Sequence, residues 1–132
     1  MEKDKIEELA KEIFEFLYEN KIWVDVSIYF NHKCWSTHKS NHAVFVGGEH
    51  DPYDMFCYNE HGYFESCNID PKNYFKYVAE PNILSMSFEG PVYNILNGYS
   101  SAALYDELLA IFKKYGLYFE LGNAWNLSAY II

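Results

Sequence analysis

The chain contains no arginine and no glutamine, and its ten basic residues are all lysine. Arginine makes the bidentate contacts to phosphate and guanine, and cationic side chains supply most non-specific nucleic-acid affinity. Nineteen acidic residues face these ten lysines, which gives a formal net charge of −9. We therefore expect no direct binding to DNA or RNA, and the charge favours a basic protein as partner.

Long apolar runs and paired cysteine motifs are missing as well. No run approaches the roughly 20 apolar residues that a membrane helix requires, so no membrane association is expected. The first residues, Met1 to Lys5, are charged, and the three cysteines leave one that cannot pair within the chain. These features favour a reducing, cytoplasmic setting. With 132 residues, the chain is long enough to form one domain that needs neither a disulfide nor a metal.

Regular apolar periodicity is what the sequence does have. Apolar residues at helical spacing predict an N-terminal helix over about residues 4–20 and a C-terminal helix over about residues 101–115. Gly116 follows the second helix as a left-handed stop. Strict alternation predicts strands at 22–30 and 84–89. Less regular patterns predict shorter strands at 33–37, 43–46, 55–58 and 63–67, a short helix at 70–78 and a helical turn at 92–96. This order indicates one α+β domain with a mostly antiparallel sheet.

A β-hairpin is predicted at the end of the chain, with strands at 117–121 and 125–131. A three-residue loop, 122–124, pairs Leu121 with Trp125 and brings apolar residues together on one face, whereas a two-residue loop mixes the faces. This register predicts that Trp125 is buried.

The opposite face of the predicted sheet carries polar residues and tyrosines. Tyrosine, serine and carboxylate side chains suit a sugar or a nucleobase, through stacking and directed hydrogen bonds. A small-molecule site or an enzyme active site on this face is therefore one hypothesis for function. Its residues are Asp25, Tyr29, Ser85, Ser87, Tyr118, Glu120, Asn126 and Tyr130.

A second candidate site is the stretch from Val44 to Asp70, which has six acids and no lysine. Aromatic residues lie between the acids, and aromatics are typical anchors of protein interfaces. The residues proposed to bind a partner are Glu49, Asp51, Tyr53, Asp54, Tyr58, Glu60, Tyr63 and Glu65. A solvated acidic rim around a core that uses these aromatics explains the same pattern.

Four residues, His32, Cys34, His38 and His42, are close enough in sequence to be candidate metal ligands. Their spacing matches no standard zinc motif, and no paired CxxC exists, so neither a metal nor any other cofactor is predicted.

No catalytic motif supports an enzyme: neither a Ser, His and Asp arrangement nor a glycine-rich phosphate loop is present. The favoured hypothesis is a small acidic module that docks on a basic protein surface, comparable in type to inhibitors such as immunity and antirestriction proteins. The oligomeric state does not follow from the sequence.

Overall fold

The protein is an α+β structure in which one antiparallel sheet of seven strands carries helices on one side. The computed structural model describes residues 1–70 and 82–132, so the helix predicted at 70–78 lies almost entirely outside the described residues. The helices are α1 (Lys3–Glu19), α2 (Gly90–Leu96) and α3 (Ala102–Lys114). The strands are β1 (Val26–Phe30), β2 (Lys33–Ser36), β3 (Val44–Val46), β4 (Tyr63–Ser66), β5 (Leu84–Phe88), β6 (Leu117–Asn123) and β7 (Asn126–Ile131).

The two long helices form where the apolar spacing predicted them. In α1, a stripe that includes Leu9, Ile13 and Leu17 is fully buried. Ser101 caps the start of α3, because its hydroxyl accepts a hydrogen bond from the Leu104 amide at 3.1 Å. The helix ends before Gly116, whose φ of +75° is the left-handed conformation expected of a stop. None of the described helices has the length and apolar content to cross a bilayer.

The strand order β3-β4-β2-β1-β5-β7-β6 places β1 and β5 in the middle of the sheet. Because side chains alternate along a strand, Ile28, Met86 and Leu127 point to one face, where they pack with all three helices in a single apolar core. The other face carries no described helix, and we call it the open face. Ser27 and Tyr29 on β1 point to this face, together with the residues that pair with them on the neighbouring strands.

Two of the predicted strands differ from the structure. β1 begins at Val26 rather than at Ile22, because the preceding chain bends through two residues with positive φ, Lys21 at 58° and Asp25 at 55°. The segment 55–58 is not a strand. It forms one isolated bridge, between His38 and Phe56, and no regular ladder.

The closing hairpin forms, but its register differs from the predicted one by two residues. Leu121 pairs with Leu127 instead of Trp125, and an irregularity falls between Leu121 and Asn123. The turn is Ala124–Trp125, and Asn123 stabilises it because its side-chain oxygen accepts from the Trp125 amide at 2.8 Å. A shift of two residues keeps every side chain on its face but moves Trp125 out of the strand. The prediction that Trp125 is buried was therefore wrong, and the side chain is 55% exposed.

This hairpin geometry predicts that two truncations, Leu127→Ala and Trp125→Ala, destabilise the protein to different extents. Leu127→Ala should lower the free energy of unfolding by about 2–5 kcal/mol, because Leu127 is fully buried. Trp125→Ala should cost less than about 1 kcal/mol, since the backbone bonds of the turn survive and little buried area is lost. Urea unfolding followed by circular dichroism measures both values. Equal losses for the two variants would contradict the observed register.

Candidate functional site

Rows of polar side chains cross the open face, because the strand register aligns them. Ser36 pairs with Ser27, Ser27 with Ser87, and Ser87 with Asn126, across four strands. Some of these groups bond directly to each other, as in the contact of 2.8 Å between the Ser27 and Ser36 hydroxyl oxygens. The next row contains Cys34, Tyr29, Ser85 and Ser128, with 2.8 Å between the two serine hydroxyl oxygens.

Among the cavities lined by described residues, two lie over these rows. The larger, of about 680 Å³, has Ser27, Tyr29, Cys34 and Ser36 on its floor and loop residues such as His42 around it. The smaller, of about 250 Å³, is lined by Asp25, Ser27, His38, Ser87, Phe88, Glu89 and Trp125. Because Ser27 and His38 line both cavities, the two adjoin, and we refer to them together as the groove. The larger cavity falls within the size range of small-molecule sites.

The floor of the larger cavity is electrically neutral. Burial is the largest of the effects that raise the pKa of Tyr29 above its ordinary value. Burial also raises the pKa of the Cys34 thiol to about 12. Both groups therefore keep their protons at neutral pH, and the Cys34 thiol is a poor nucleophile.

Antiparallel pairing brings functional side chains from distant parts of the sequence to one edge of the sheet. β1 and β7 begin where β2 and β5 end. Asp25 therefore precedes β1 at the same edge at which His38 follows β2, Glu89 follows β5 and Trp125 precedes β7. The Glu89 amide donates to the Asp25 carbonyl at 2.9 Å, which ties two of these segments together.

Asp25 is held by two donors at this edge. Its Oδ1 accepts from the Tyr58 hydroxyl at 2.5 Å and lies 3.1 Å from His38 Nε2. The other ring nitrogen of His38, Nδ1, lies 3.3 Å from the Thr37 hydroxyl. Desolvation of the Tyr58 hydroxyl, followed by its bond to the Asp25 carboxylate, raises the pKa of Tyr58 to about 12. Tyr58 therefore remains a hydrogen-bond donor to Asp25 at neutral pH.

Tyr58 reaches Asp25 from the loop between β3 and β4, which is anchored at several points. The Cys57 amide donates to the Thr37 carbonyl at 3.0 Å, and the Asn59 amide donates to the Trp23 carbonyl at 2.9 Å. Within the loop, His50 Nδ1 lies 2.8 Å from a Glu60 carboxylate oxygen, and Nε2 lies 3.2 Å from the Asp54 carbonyl. The His50 side chain is only 4% exposed. His50 thus connects the two halves of the loop that carries Tyr58.

The residues predicted for the sheet-face site are distributed unevenly over the groove. Strand alternation puts the predicted strand residues on the open face, as the hairpin pairs Tyr118 with Tyr130 and Glu120 with Ser128. Of the predicted set, Asp25, Tyr29 and Ser87 line the groove. Ser85, Tyr118, Glu120, Asn126 and Tyr130 lie on the same face without lining either cavity.

The predicted acidic and aromatic patch is divided between two environments. Glu49, Asp51, Tyr53 and Asp54 are exposed in the β3–β4 loop, and Tyr53 is 90% exposed. The other four residues of the predicted patch, Tyr58, Glu60, Tyr63 and Glu65, interact within the protein. Tyr58 bonds to Asp25, Glu60 pairs with His50, Tyr63 stacks on Trp35 at a ring distance of 4.2 Å, and Glu65 accepts from the Trp35 indole at 2.8 Å.

The four candidate metal ligands do not form a ligand group. No three His, Cys, Asp or Glu side chains come together as a metal-binding group in the described part of the chain. Cys34, His38 and His42 line the larger cavity. His32 lies in the β1–β2 turn, where its ring Nδ1 is 3.2 Å from the Ile69 carbonyl.

Several groove residues were not predicted as ligand-binding residues: Ser27, Ser36, Glu89, Trp125, and His38, which had been considered only for metal. The alternation of polar and apolar residues could have identified Ser27, because Ser27 lies between Asp25 and Tyr29 on the polar side of that pattern. The alternation of Ser85 and Ser87 extends to Glu89, whereas nothing local marks His38 or Trp125, because each lies just outside a strand. They meet only through the antiparallel pairing of strands.

The His50 contacts predict a pH-dependent contribution to stability. Desolvation lowers the pKa of His50, but its bonds to Glu60 and to the Asp54 carbonyl outweigh this and hold the pKa above its ordinary value of 6.5. Because the pKa of His50 is higher in the folded state than in the unfolded state, protonated His50 stabilises the fold. This contribution is complete below pH 6.5 and is lost as the pH rises through the folded-state pKa. Below that pH, His50→Gln should cost about 1 kcal/mol.

Unfolding measured from acidic to alkaline pH tests this contribution. The stability difference between wild type and His50→Gln should shrink as pH rises. Glu60→Gln serves as the matched variant, since it removes the charge that favours protonated His50 and should flatten the same pH dependence. A difference that stays constant across this range would show that His50 acts only by packing against Phe45 and Phe64.

Comparison of the chain with protein-family models, with curated proteins and with solved structures finds no match. The groove itself is therefore the feature from which a function can be inferred. Its distinguishing features are a neutral, hydroxyl-rich floor and an edge where Asp25, Glu89 and Trp125 meet.

Proposed function

We propose that the groove on the open face binds a small polar molecule with the size and hydrogen-bonding character of a sugar or a nucleobase. The observation that carries this proposal is a cavity of about 680 Å³ directly over the serine and tyrosine rows. Hydroxyl groups both donate and accept hydrogen bonds, so they match the alternating donors and acceptors of sugars and bases. A flat open face would have favoured a protein-binding role instead.

Burial of the polar floor supports a preorganised site. Ser36 and Cys34 on this floor are each 8% exposed, although no described helix covers this face. Buried hydroxyls keep fixed positions through bonds such as those from Ser27 to Ser36 and from Ser85 to Ser128. Because these hydroxyls already have fixed positions, little binding free energy is lost to the ordering of side chains when a ligand replaces the solvent above them.

Binding is favoured over catalysis by the contacts of His38. Both ring nitrogens already lie near protein groups, Asp25 on one side and Thr37 on the other. A histidine that acts as a general base needs one nitrogen within reach of its substrate. His38 therefore serves to position Asp25, and with the Cys34 thiol protonated the groove floor offers no activated nucleophile.

Removal of one central hydroxyl tests the binding proposal. Ser27→Ala removes only the hydroxyl of a residue that lines both cavities, and it should weaken binding of the preferred neutral ligand about tenfold. Glucose and uridine are suitable probes, titrated into ¹⁵N-labelled protein and followed by amide chemical shifts. Tyr118→Phe is the matched control, because it removes a hydroxyl from the open face outside both cavities. Absence of groove shifts with every neutral probe, or unchanged affinity in Ser27→Ala, would refute the proposal.

A second candidate function is docking on a basic protein surface. The favouring observation is an exposed aromatic and methionine cluster in the β3–β4 loop, with Tyr53 90%, Met55 51% and Phe56 43% exposed. The exposed acids Glu49, Asp51 and Asp54 lie beside these residues in the sequence. A surface segment of exposed aromatic and acidic residues has the composition of a docking patch for a basic partner.

Neutralising these acids tests the docking function without disturbing the loop. Asp51 and Asp54 accept from the Tyr53 and Phe56 amides at 2.9 and 3.0 Å, and asparagine retains this acceptor. The triple variant Glu49→Gln, Asp51→Asn, Asp54→Asn should lose a salt-sensitive partner in a pull-down, at least tenfold. A control that neutralises Glu2, Asp4 and Glu19 on α1 removes the same charge elsewhere. If the loop variant still retains the partner, or if binding of the partner does not change with salt concentration, an electrostatic docking role is excluded.

A further inference from the structure

The strand β6 lies at one end of the sheet and pairs with a single described strand. β3 and β6 are the two ends of the strand order, and β6 pairs only with β7 among the described strands. β3 has three residues, whereas β6 has seven. A short edge strand offers few groups for pairing with another chain, and proteins commonly protect longer edges with lysine or proline. β6 contains neither residue, so its second side is suited to an added strand.

The backbone groups on that side of β6 follow from the hairpin ladder. The Ile132 amide donates to the Gly116 carbonyl at 3.0 Å, immediately before the register of β6 begins at Leu117. Hydrogen-bonded pairs alternate along an antiparallel ladder with pairs that are not bonded to each other. The amides and carbonyls of Leu117, Phe119 and Leu121 therefore point away from β7. We call this row of backbone groups the outer edge of β6.

A cavity lies beside the outer edge on the helix side of the sheet. Its volume is about 500 Å³, and its apolar walls include Ile95 and Leu96 of α2, Tyr105 of α3, and Leu121. Leu121 is 42% exposed, whereas Ile95 and Leu96 are each 5% exposed, so the apolar wall extends from the surface into the core. On an added strand, the residue opposite Leu121 projects to the same face of the sheet as Leu121. The cavity is therefore in reach of that side chain.

The charges around the outer edge favour a basic partner. Glu120 is exposed on the strand itself, and Asp106 of α3 lines the cavity, which no lysine lines. Neither carboxylate has an ion pair with a described residue. Opposite charges directly across two strands stabilise their pairing, and like charges oppose it. A second copy of this chain, with its formal net charge of −9, is therefore a poorer occupant than a basic segment.

We propose that the outer edge of β6 binds an extended segment of a partner protein in which basic and apolar residues alternate. The segment adds a strand to the sheet and forms backbone hydrogen bonds with Leu117, Phe119 and Leu121. An apolar side chain opposite Leu121 enters the cavity, and a basic neighbour lies across from Glu120. In this mode, main-chain bonds supply affinity and side-chain pockets supply specificity. The surface shares no residue with either cavity of the groove, so this inference is independent of the proposed ligand.

Selection from a phage-displayed library of random linear peptides tests the proposal. The recovered peptides should alternate lysine or arginine with apolar residues. A synthetic copy of the strongest binder should protect the amides of Leu117, Phe119 and Leu121 from hydrogen exchange, because these amides gain acceptors only from an added strand. Leu121→Lys places a charge at the mouth of the cavity and should weaken binding of this peptide at least about tenfold.

Val46→Lys is the matched control, because it adds the same charge at the opposite edge of the sheet, where Val46 is 37% exposed. It should bind the peptide within about twofold of wild type. Both positions are exposed, so circular dichroism should show both variants folded. The proposal fails if the peptides lack the alternation, if the three amides gain no protection, or if the two lysine variants bind equally well. It also fails if sedimentation of the protein alone shows a dimer that Leu121→Lys dissociates, since a second copy then occupies the outer edge.

Discussion

The placement of all described helices on one side of the sheet is the constraint on which the rest of the structure depends. Because side chains alternate along each strand, apolar residues such as Ile28 and Met86 enter the core beneath α1 and α3. The intervening residues must then lie on the open face. Serine and tyrosine at those positions turn the back of a structural sheet into an aligned array of hydroxyl groups.

Burial of that array distinguishes it from an ordinary solvated sheet face. Ser85 is completely buried and Ser128 is 6% exposed, and polar groups at such depth require partners, which these two find in each other. The same network limits side-chain motion, so the groove presents its hydroxyls in fixed directions. Core packing on one face and hydrogen bonding on the other therefore depend on a single strand register.

The edge of the groove has a different origin from its floor. Asp25, His38, Glu89 and Trp125 come from four segments that meet only because β1, β2, β5 and β7 are antiparallel neighbours. Tyr58 joins them from a loop whose conformation depends on His50 and on backbone bonds to Thr37 and Trp23. All of these residues lie outside the regular strands of the structure, although the alternation of the neighbouring strands extends to Asp25 and Glu89. The directions of His38, Tyr58 and Trp125 depend on turns and loops.

The sequence by itself determined the class of fold, the two long helices and the division of the strands into an apolar and a polar face. These follow from local periodicity, which acts over a few residues and is readable without knowledge of tertiary contacts. Loop geometry was decided by the tertiary structure. Asn123 could accept from the Trp125 amide, so the closing turn moved two residues from its predicted position and Trp125 became exposed. The groove likewise arose from strand pairing over long sequence separations, which local preferences do not encode.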